Sequence, residues 1–229
     1  MEFYTKVKVL IILFIIMFPI MRYIYNFYIK KSNTYDVYVI NMKKDKKRLK
    51  KITEQLNESG IKFKKVLGVD GKTLHKDILK KNKMIKEKTP DDFTLPKIGC
   101  SLSHKKTWIH AYKHGNKYND ILVIDDNAIL RPGFKEKLND LVYELRGVKY
   151  DICYLGRKPL VKDNKKHEKS LSNNVEKALK SEMGGGYIIN RNSLVRVLDN
   201  YKIIDDKPDK MFHSGKLEVV SSKDNILDK

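Results

Sequence analysis

Two carboxylates and an amide follow the most apolar strand-like run of this 229-residue sequence. The run Ile121–Asp125 reads ILVID, and Asp126 and Asn127 come directly after it. A nearly all-apolar run of this length is typical of a strand buried on both faces. Oxygen ligands clustered where such a strand ends suit Mg²⁺ or Mn²⁺ bound together with substrate phosphates. The same residues are also typical of a polar turn, and spacing alone favours the turn.

Three other segments place polar side chains or flexible backbone after predicted strands. Asn41 can bond a nucleotide base edge or a ribose, and the Asp70-Gly71 dipeptide can bring a carboxylate near a ribose. Gly184–Gly186, with Gly185 at its centre, can let the backbone come close to a ligand. The alternative interpretation of each segment is a tight turn, and an Asn that follows a strand is more often only a turn former.

The elements that must position these residues alternate along the chain between strand and helix, which predicts an α/β domain with a mostly parallel sheet between helices. Ligands of such folds bind at the carboxyl ends of the strands. Loops are predicted at Lys86–Lys97 and, as a mobile insertion, at 157–180. The predicted strands are Asp36–Asn41, Lys62–Val69, Ile121–Asp125, Asp151–Gly156, Gly186–Asn190 and an edge strand at Lys216–Val220; the predicted helices are Asp45–Glu58, Lys76–Lys83, Ser101–His114, Phe134–Leu145 and Arg191–Leu198.

The charge balance is strongly basic, with 48 Lys plus Arg against 28 Asp plus Glu and a net charge of +20. A field of that size attracts polyanions whatever the fold, so a basic membrane-surface or nucleic-acid-binding protein is one hypothesis. Only seven of the cations are Arg, the residue that base readout favours, and the lysines are dispersed. We therefore expect no specific nucleic-acid partner. A hydrophobic fraction of 41% argues against a wholly disordered chain.

The N-terminus carries a long apolar stretch. Val9–Met21 has no charge, and Val7–Ile29 has the roughly 20 residues needed to cross a bilayer. No small residues follow the run, so an uncleaved single-pass membrane anchor is preferred over a signal peptide or a buried helix. Basic residues flank both ends, so the side of the membrane is not determined. The predicted domains are an anchor over 1–31 and a single domain over 32–229.

Seven short segments occur in the order found in one enzyme family, and the chain resembles glycosyltransferase family 25, the lipooligosaccharide and procollagen galactosyltransferase group. The resemblance runs from about Tyr35 nearly to the C-terminus, and its most specific piece is IGCSLSHKKTW. The segments are YVINM (38–42) with Arg48, VLGVDGKTL (66–74), IGCSLSHKKTW (98–108), ILVIDDNAIL (121–130), DICYLG (151–156), GGYIIN (185–190) and KPDKMF (207–212).

This resemblance implies a GT-A-like nucleotide-sugar-binding fold. It also implies transfer of galactose or glucose from a UDP-sugar to a hydroxyl of a glycan, lipid-linked or protein acceptor, with inversion. In such enzymes a divalent cation, Mn²⁺ or Mg²⁺, lies across the donor diphosphate and stabilises the leaving nucleotide. Asp125 and Asn127 match the first and last positions of the metal-binding motif, and Asp126 the middle one. The matched donor-binding residues are Asn41, Arg48, Asp70, Gly71, Ser103, His104 and Gly185.

One departure from the family bears on activity. Where the family has Glu-Asp-Asp this chain has Asp-Asp-Asn, so a neutral amide replaces the last carboxylate and metal affinity should fall. Asp126 can take over by a shift of one position, and a catalytically weakened or inactive relative that binds a nucleotide sugar or a partner is the alternative. An inverting transfer also needs a general base. Asp209 is the candidate by its match to the family's late Asp, with Asp206 as the fallback and two solvated charges as the alternative interpretation.

Overall fold

The computed structural model describes residues 14–22, 35–90, 92–160 and 169–229, and the chain divides into the units Met1–Asn33 and Thr34–Lys229. In the first unit, residues 14–22 form a helix, α1. No helix within the described ranges is long and apolar enough to cross a membrane. Most of the predicted anchor over 1–31 lies outside the described residues, and the anchor stays a prediction.

The second unit is built on a large sheet. Among the described residues it has seven strands in the order β2-β1-β3-β9-β5-β10-β7. Two small two-stranded sheets accompany it, β4 with β11 and β6 with β8. The strands are β1 (Tyr35–Asn41), β2 (Lys64–Leu67), β3 (Asp120–Asp125), β4 (Ile129–Leu130), β5 (Ile152–Tyr154), β6 (Arg157–Pro159), β7 (Val175–Lys177), β8 (Ser181–Met183), β9 (Gly186–Ile189), β10 (Val219–Ser222) and β11 (Leu227–Asp228).

Helices cover both faces of this sheet. Alternate residues of β3 enter different apolar clusters, Ile121 and Val123 on one side and Leu122 and Ile124 on the other. The first cluster contains Trp108 and the second contains residues of two amphipathic helices, which confirms the predicted α/β class. The helices are α2 (Lys46–Glu58), α3 (Lys76–Lys81), α4 (Leu95–His114), α5 (Phe134–Leu145), α6 (Leu194–Asn200) and α7 (Pro208–Phe212).

The prediction of a mostly parallel sheet is wrong, because the sheet is mixed. β1 pairs in parallel with β2 and β3, and β5 with β10, whereas β9 runs antiparallel between β3 and β5, and β7 antiparallel to β10. Helices bury both faces here, so the apolar sequence of a central strand reports its burial and carries no information on its direction.

Two local predictions also need correction. The sequence predicts an edge strand here, but β10 lies inside the sheet between β5 and β7. The predicted mobile insertion over 157–180 contains β6 and β7 among its described residues. Both short strands are rich in polar residues, and the apolar pattern that identifies a strand is weak there.

α4 begins earlier than its sequence pattern predicts. The prolines of Lys86–Lys97 predict a loop, yet the helix starts at Leu95 with Pro96 in its first turn. Proline is tolerated there because the first N–H groups of a helix have no partner within the helix. The longer helix brings Gly99 against the turn at Gly71, where a Cβ on Gly99 would lie 2.8 Å from the Gly71 backbone nitrogen.

Gly99→Ala tests this contact. In a free helix alanine would stabilise by about 1 kcal/mol relative to glycine. Here the added methyl meets fixed backbone, so we expect the free energy of unfolding to fall by about 1–3 kcal/mol. The measurement is urea denaturation followed by circular dichroism. Gly147→Ala is the control, since its Cβ would meet Glu144 O at an ordinary 3.7 Å; a Gly99→Ala variant as stable as that control would contradict the packing described.

Candidate active site

A cleft of about 460 Å³ opens where β1 and β3 end. The two strands are parallel, with Ile40 opposite Asp125, so the residues that follow them meet at one edge of the sheet. The turn after β2 and the first half of α4 complete its walls. The predicted site residues that line the cleft are Arg48, Asp70, Gly71, Ser103, His104, Asp125, Asp126 and Asn127.

Asp126 is buried and held by groups from β1 and α2. Its Oδ2 accepts a hydrogen bond from Asn41 Nδ2 at 2.8 Å, and its Oδ1 lies 3.9 Å from Arg48 Nη1. Its backbone N–H donates to Ile40 O at 3.1 Å, which joins the end of β3 to β1. Burial raises the pKa of Asp126, and the Asn41 hydrogen bond and the Arg48 charge oppose that rise. Asn41 therefore acts here by orienting a carboxylate.

Asp125 faces two nitrogen groups. Lys229 Nζ donates to its Oδ2 at 2.8 Å, and His104 Nε2 lies 3.8 Å from its Oδ1. Burial of the ammonium acts to lower the pKa of Lys229, but the Asp125 carboxylate outweighs it and the net shift is upward. Lys229 therefore stays charged, and this contact is an ion pair within the cleft.

His104 belongs to a buried chain of hydrogen bonds. Trp108 Nε1 donates to Tyr187 Oη at 2.8 Å, and Tyr187 Oη lies 2.9 Å from His104 Nδ1. Burial raises the pKa of Tyr187, so its phenol keeps its hydrogen and can donate it to Nδ1. This pattern assigns the hydrogen of the neutral imidazole to Nε2, the atom that faces Asp125.

The turn after β2 is built by Asp70 and Gly71. Asp70 Oδ1 accepts from the backbone N–H of Lys72 at 3.0 Å, and that bond lowers the pKa of the carboxyl. Its Oδ2 lies 3.6 Å from Lys44 Nζ. A Cβ on Gly71 would lie 2.4 Å from Leu95 O, so only glycine fits against α4. Asp70 thus forms the tight turn that was the alternative interpretation of its sequence, and it also lines the cleft.

Ser103 ties α4 to the same turn. Its Oγ donates to Gly99 O at 2.7 Å and accepts from the backbone N–H of Val69 at 2.8 Å. The hydrogen and one lone pair of the hydroxyl therefore position α4 beside the turn after β2.

Gly185 and Asp209 lie outside the set of residues that line the cleft. Gly185 has φ +107°, and its carbonyl accepts from the Asp125 backbone N–H at 2.8 Å, so its backbone supports the end of β3. Asp209 is in the first turn of α7, where its Oδ1 accepts from Lys210 N at 3.1 Å. Burial lowers the pKa of His104, and Asp125 and then Asp209 oppose that shift, so Asp209 contributes to the field of the site.

The fallback base, Asp206, is already paired. Its Oδ2 lies 3.1 Å from Lys210 Nζ, and its Oδ1 accepts from Lys207 N at 2.8 Å. These contacts make Asp209 a better candidate than Asp206 for the predicted general base.

The side chains of the acidic motif, Asp125 to Asn127, do not fit a divalent cation as they are arranged. All four carboxylate oxygens of Asp125 and Asp126 face nitrogen groups, two of which belong to the cationic side chains of Lys229 and Arg48. The third member, Asn127, carries no charge. Within the described ranges, no group of three His, Cys, Asp or Glu side chains could hold a metal ion. Mn²⁺ or Mg²⁺ at this motif stays a prediction that this donor set does not favour.

Comparison with known families accounts for this arrangement of motifs. The family model described as Glycosyltransferase family 25 (LPS biosynthesis protein) matches residues 34–211, more than half of the chain. This chain belongs to glycosyltransferase family 25. The resemblance inferred from the seven short segments is confirmed, and the mixed α/β sheet fits a GT-A-like glycosyltransferase.

Curated members of glycosyltransferase family 25 resemble this chain at low identity. A Drosophila melanogaster protein named glycosyltransferase 25 family member is 25% identical over 169 residues, 71% of this chain and 27% of that protein. Human procollagen galactosyltransferase 2 is 31% identical over 152 residues, 62% of this chain and 24% of that protein. A mouse protein named inactive glycosyltransferase 25 family member 3 is 29% identical over 131 residues, 54% of this chain and 22% of that protein. The chain thus spans about a quarter of the length of these relatives.

The sequence patterns do not predict several residues that line or support the cleft. Lys44 and Cys100 line the cleft: Lys44 carries no distinguishing pattern among many lysines, whereas Cys100 lies within the recognised IGCSLSHKKTW segment but was given no role in the site. Tyr187 lies in the recognised GGYIIN segment. A phenol within an otherwise apolar strand could have indicated that its hydroxyl has a buried hydrogen-bond partner. Lys229 lies beyond the residues matched by the family model, and nothing in its sequence context distinguishes it.

The buried His104 predicts a pH dependence of stability. Its pKa is lowered from 6.5 by burial, so below about pH 6.5 the unfolded chain binds a proton that the folded chain does not. The free energy of unfolding should therefore fall as the pH falls, by up to about 1.4 kcal/mol per pH unit for this one proton. Urea denaturation at several pH values between 5 and 7.5 measures that slope.

His104→Asn should give a shallower slope, because Asn can still accept from Tyr187 but does not titrate. His75→Asn, at an exposed histidine, is the matched control and should keep the wild-type slope. If the free energy of unfolding of wild type and of His104→Asn changed with pH by the same slope, the lowered pKa of His104 in the folded chain would be contradicted.

Proposed function

We propose that this chain transfers a hexose, galactose or glucose, from a UDP-sugar to a hydroxyl of a glycan, lipid-linked or protein acceptor, with inversion. The observation that carries the proposal is the pair Asp125–Asp126 at the end of β3, facing a cleft that also contains Ser103 and His104 of the best-matched segment. Family membership supports a glycosyltransferase, and a relative named procollagen galactosyltransferase supports a hexose.

The cleft offers complementary groups for a nucleoside diphosphate sugar. Lys44, Arg48 and Lys229 line it and can neutralise phosphate oxygens. Asp70, whose Oδ2 lies 3.6 Å from Lys44 Nζ, has a partly exposed carboxylate that can accept hydrogen bonds from ribose hydroxyls. The buried Asp126 is positioned by Asn41. It can orient the donor sugar or the cationic side chains around the diphosphate.

Asp209 is the proposed general base. In an inverting transfer the acceptor oxygen bonds to the anomeric carbon while the bond from that carbon to the UDP oxygen breaks. The base takes the hydroxyl proton, and the electron pair of the broken bond leaves with UDP. Asp209 is half-buried in the first turn of α7, and its charge acts on His104, so it lies near the site without being committed to an ion pair among the described residues.

Substitution of the two proposed carboxylates tests this function. With the purified full chain, UDP release from UDP-galactose and UDP-glucose is measured with a panel of hydroxyl acceptors, in buffers with and without Mn²⁺. Asp209→Asn should lower kcat by about 10²–10⁴-fold with little change in the KM for the donor, because it removes the proton acceptor alone.

Asp126→Asn should raise the donor KM as well, since it disrupts the Asn41 and Arg48 contacts. Asp77→Asn, at an exposed helix position, is the control and should behave as wild type. Absence of UDP release from both donors, in both buffers, would count against the proposal.

A second candidate is a family member that binds a nucleotide sugar without turning it over. Two observations favour it: Asn127 replaces a carboxylate of the motif, and one similar mouse protein is named inactive. Asn127→Asp distinguishes the candidates in the same assay. Activity gained by that variant in an otherwise silent chain indicates a weakened enzyme, and binding of UDP-sugar without turnover in both indicates a binding protein.

A further inference from the structure

The ammonium of Lys229 stands next to the first carboxylate of the acidic motif. Its Nζ donates to Asp125 Oδ2 at 2.8 Å, and the lysine side chain keeps 44% of its exposure, against 15% for Asp125. One N–H of the ammonium therefore donates to the Asp125 carboxylate. The ammonium also lines the cleft and can donate its other N–H groups to a ligand there.

The neighbouring backbone holds Lys229 in this place. β11 pairs antiparallel with β4, the short strand that follows the acidic motif, with Asp228 opposite Ile129. Arg131 clamps Asp228 through two hydrogen bonds, Nε to Oδ2 at 2.7 Å and Nη2 to Oδ1 at 3.1 Å. On the other side, a Cβ on Gly185 would lie 3.4 Å from Lys229 Cβ, so the lysine packs closely on that backbone. The position of the ammonium thus follows from a paired and clamped segment.

The charge of the acidic motif and the arrangement of its side chains favour a cation that the chain itself supplies over a divalent metal ion. Asn127 removes one negative charge from the motif and Lys229 adds one positive charge, so both changes reduce the attraction of a divalent cation. Such a cation would have to displace an ammonium at hydrogen-bond distance and remain beside Arg48, which lies 3.9 Å from Asp126.

We propose that Lys229 takes the electrostatic role of a divalent cation in this cleft, so that the chain binds a nucleoside diphosphate through its own ammonium and without a metal. The proposal rests on the proposed function, because it concerns the donor diphosphate of that reaction. Asp125 then orients Lys229, and the ammonium forms charge-assisted hydrogen bonds with diphosphate oxygens and stabilises the charge that builds on UDP as it leaves.

Calorimetric titration of the full chain with UDP, in EDTA and in Mn²⁺, tests the proposal. Wild type should bind UDP in EDTA, with an affinity that Mn²⁺ changes by less than threefold. Lys229→Gln keeps the length of the side chain and removes its charge, so its affinity for UDP in EDTA should fall at least tenfold. Mn²⁺ should restore most of that loss, because Asp125 is then free to bind the metal.

Two further variants serve as controls. Lys229→Arg keeps the charge and should retain metal-independent binding within tenfold of wild type. Lys216→Gln removes an exposed lysine that does not line the cleft and should bind UDP as wild type does. Thermal unfolding of each variant monitors folding; if Lys229→Gln does not fold, the wild-type comparison between EDTA and Mn²⁺ decides.

The outcomes separate this inference from the proposed function. UDP binding by wild type that needs Mn²⁺, or unchanged binding in EDTA by Lys229→Gln, overturns the role of Lys229 and leaves the transferase proposal standing. Absence of UDP binding in both buffers overturns the transferase proposal, and this inference with it.

Discussion

The parallel pairing of β1 with β3 is the constraint on which the candidate site depends. It sets Ile40 opposite Asp125, and one residue further on it allows Asn41 to hold Asp126 at 2.8 Å. The strand ends then bring together a carboxylate pair, the Arg48 guanidinium from α2 and the turn after β2. An antiparallel pairing of these two strands would send Asn41 and Asp126 to opposite edges of the sheet.

A second connection runs from the centre of the sheet to the site. β9 is antiparallel to β3, with Tyr187 opposite Val123, and Tyr187 joins Trp108 and His104 of α4 by hydrogen bonds. Buried polar groups of this kind are costly unless every partner is present. The apolar cluster under α4 therefore also fixes the orientation of the imidazole that faces Asp125.

The balance of charges in the cleft differs from the net charge of +20 on the whole chain. Most lysines are dispersed over the surface, whereas the cleft combines Lys44, Arg48 and Lys229 with four carboxylates, Asp45, Asp70, Asp125 and Asp126. The electrostatic field inside the cleft is determined by these few groups at short range. At physiological ionic strength, distant surface charges are screened over about 8 Å.

The sequence by itself determined the α/β class, the family and the acidic motif at the end of β3, because apolar runs, turn residues and short motifs are local patterns. It also predicted most helices and strands, with α5 at the residues expected. Strand direction and the interior position of β10 depended on packing between distant segments. The Lys229–Asp125 pair spans 104 residues, and the pairing of β11 with β4 and the Arg131–Asp228 hydrogen bonds bring it together. The residues around Lys229 and Asp125 in the sequence do not predict this contact, because it is stabilised by tertiary pairing between segments far apart in the chain.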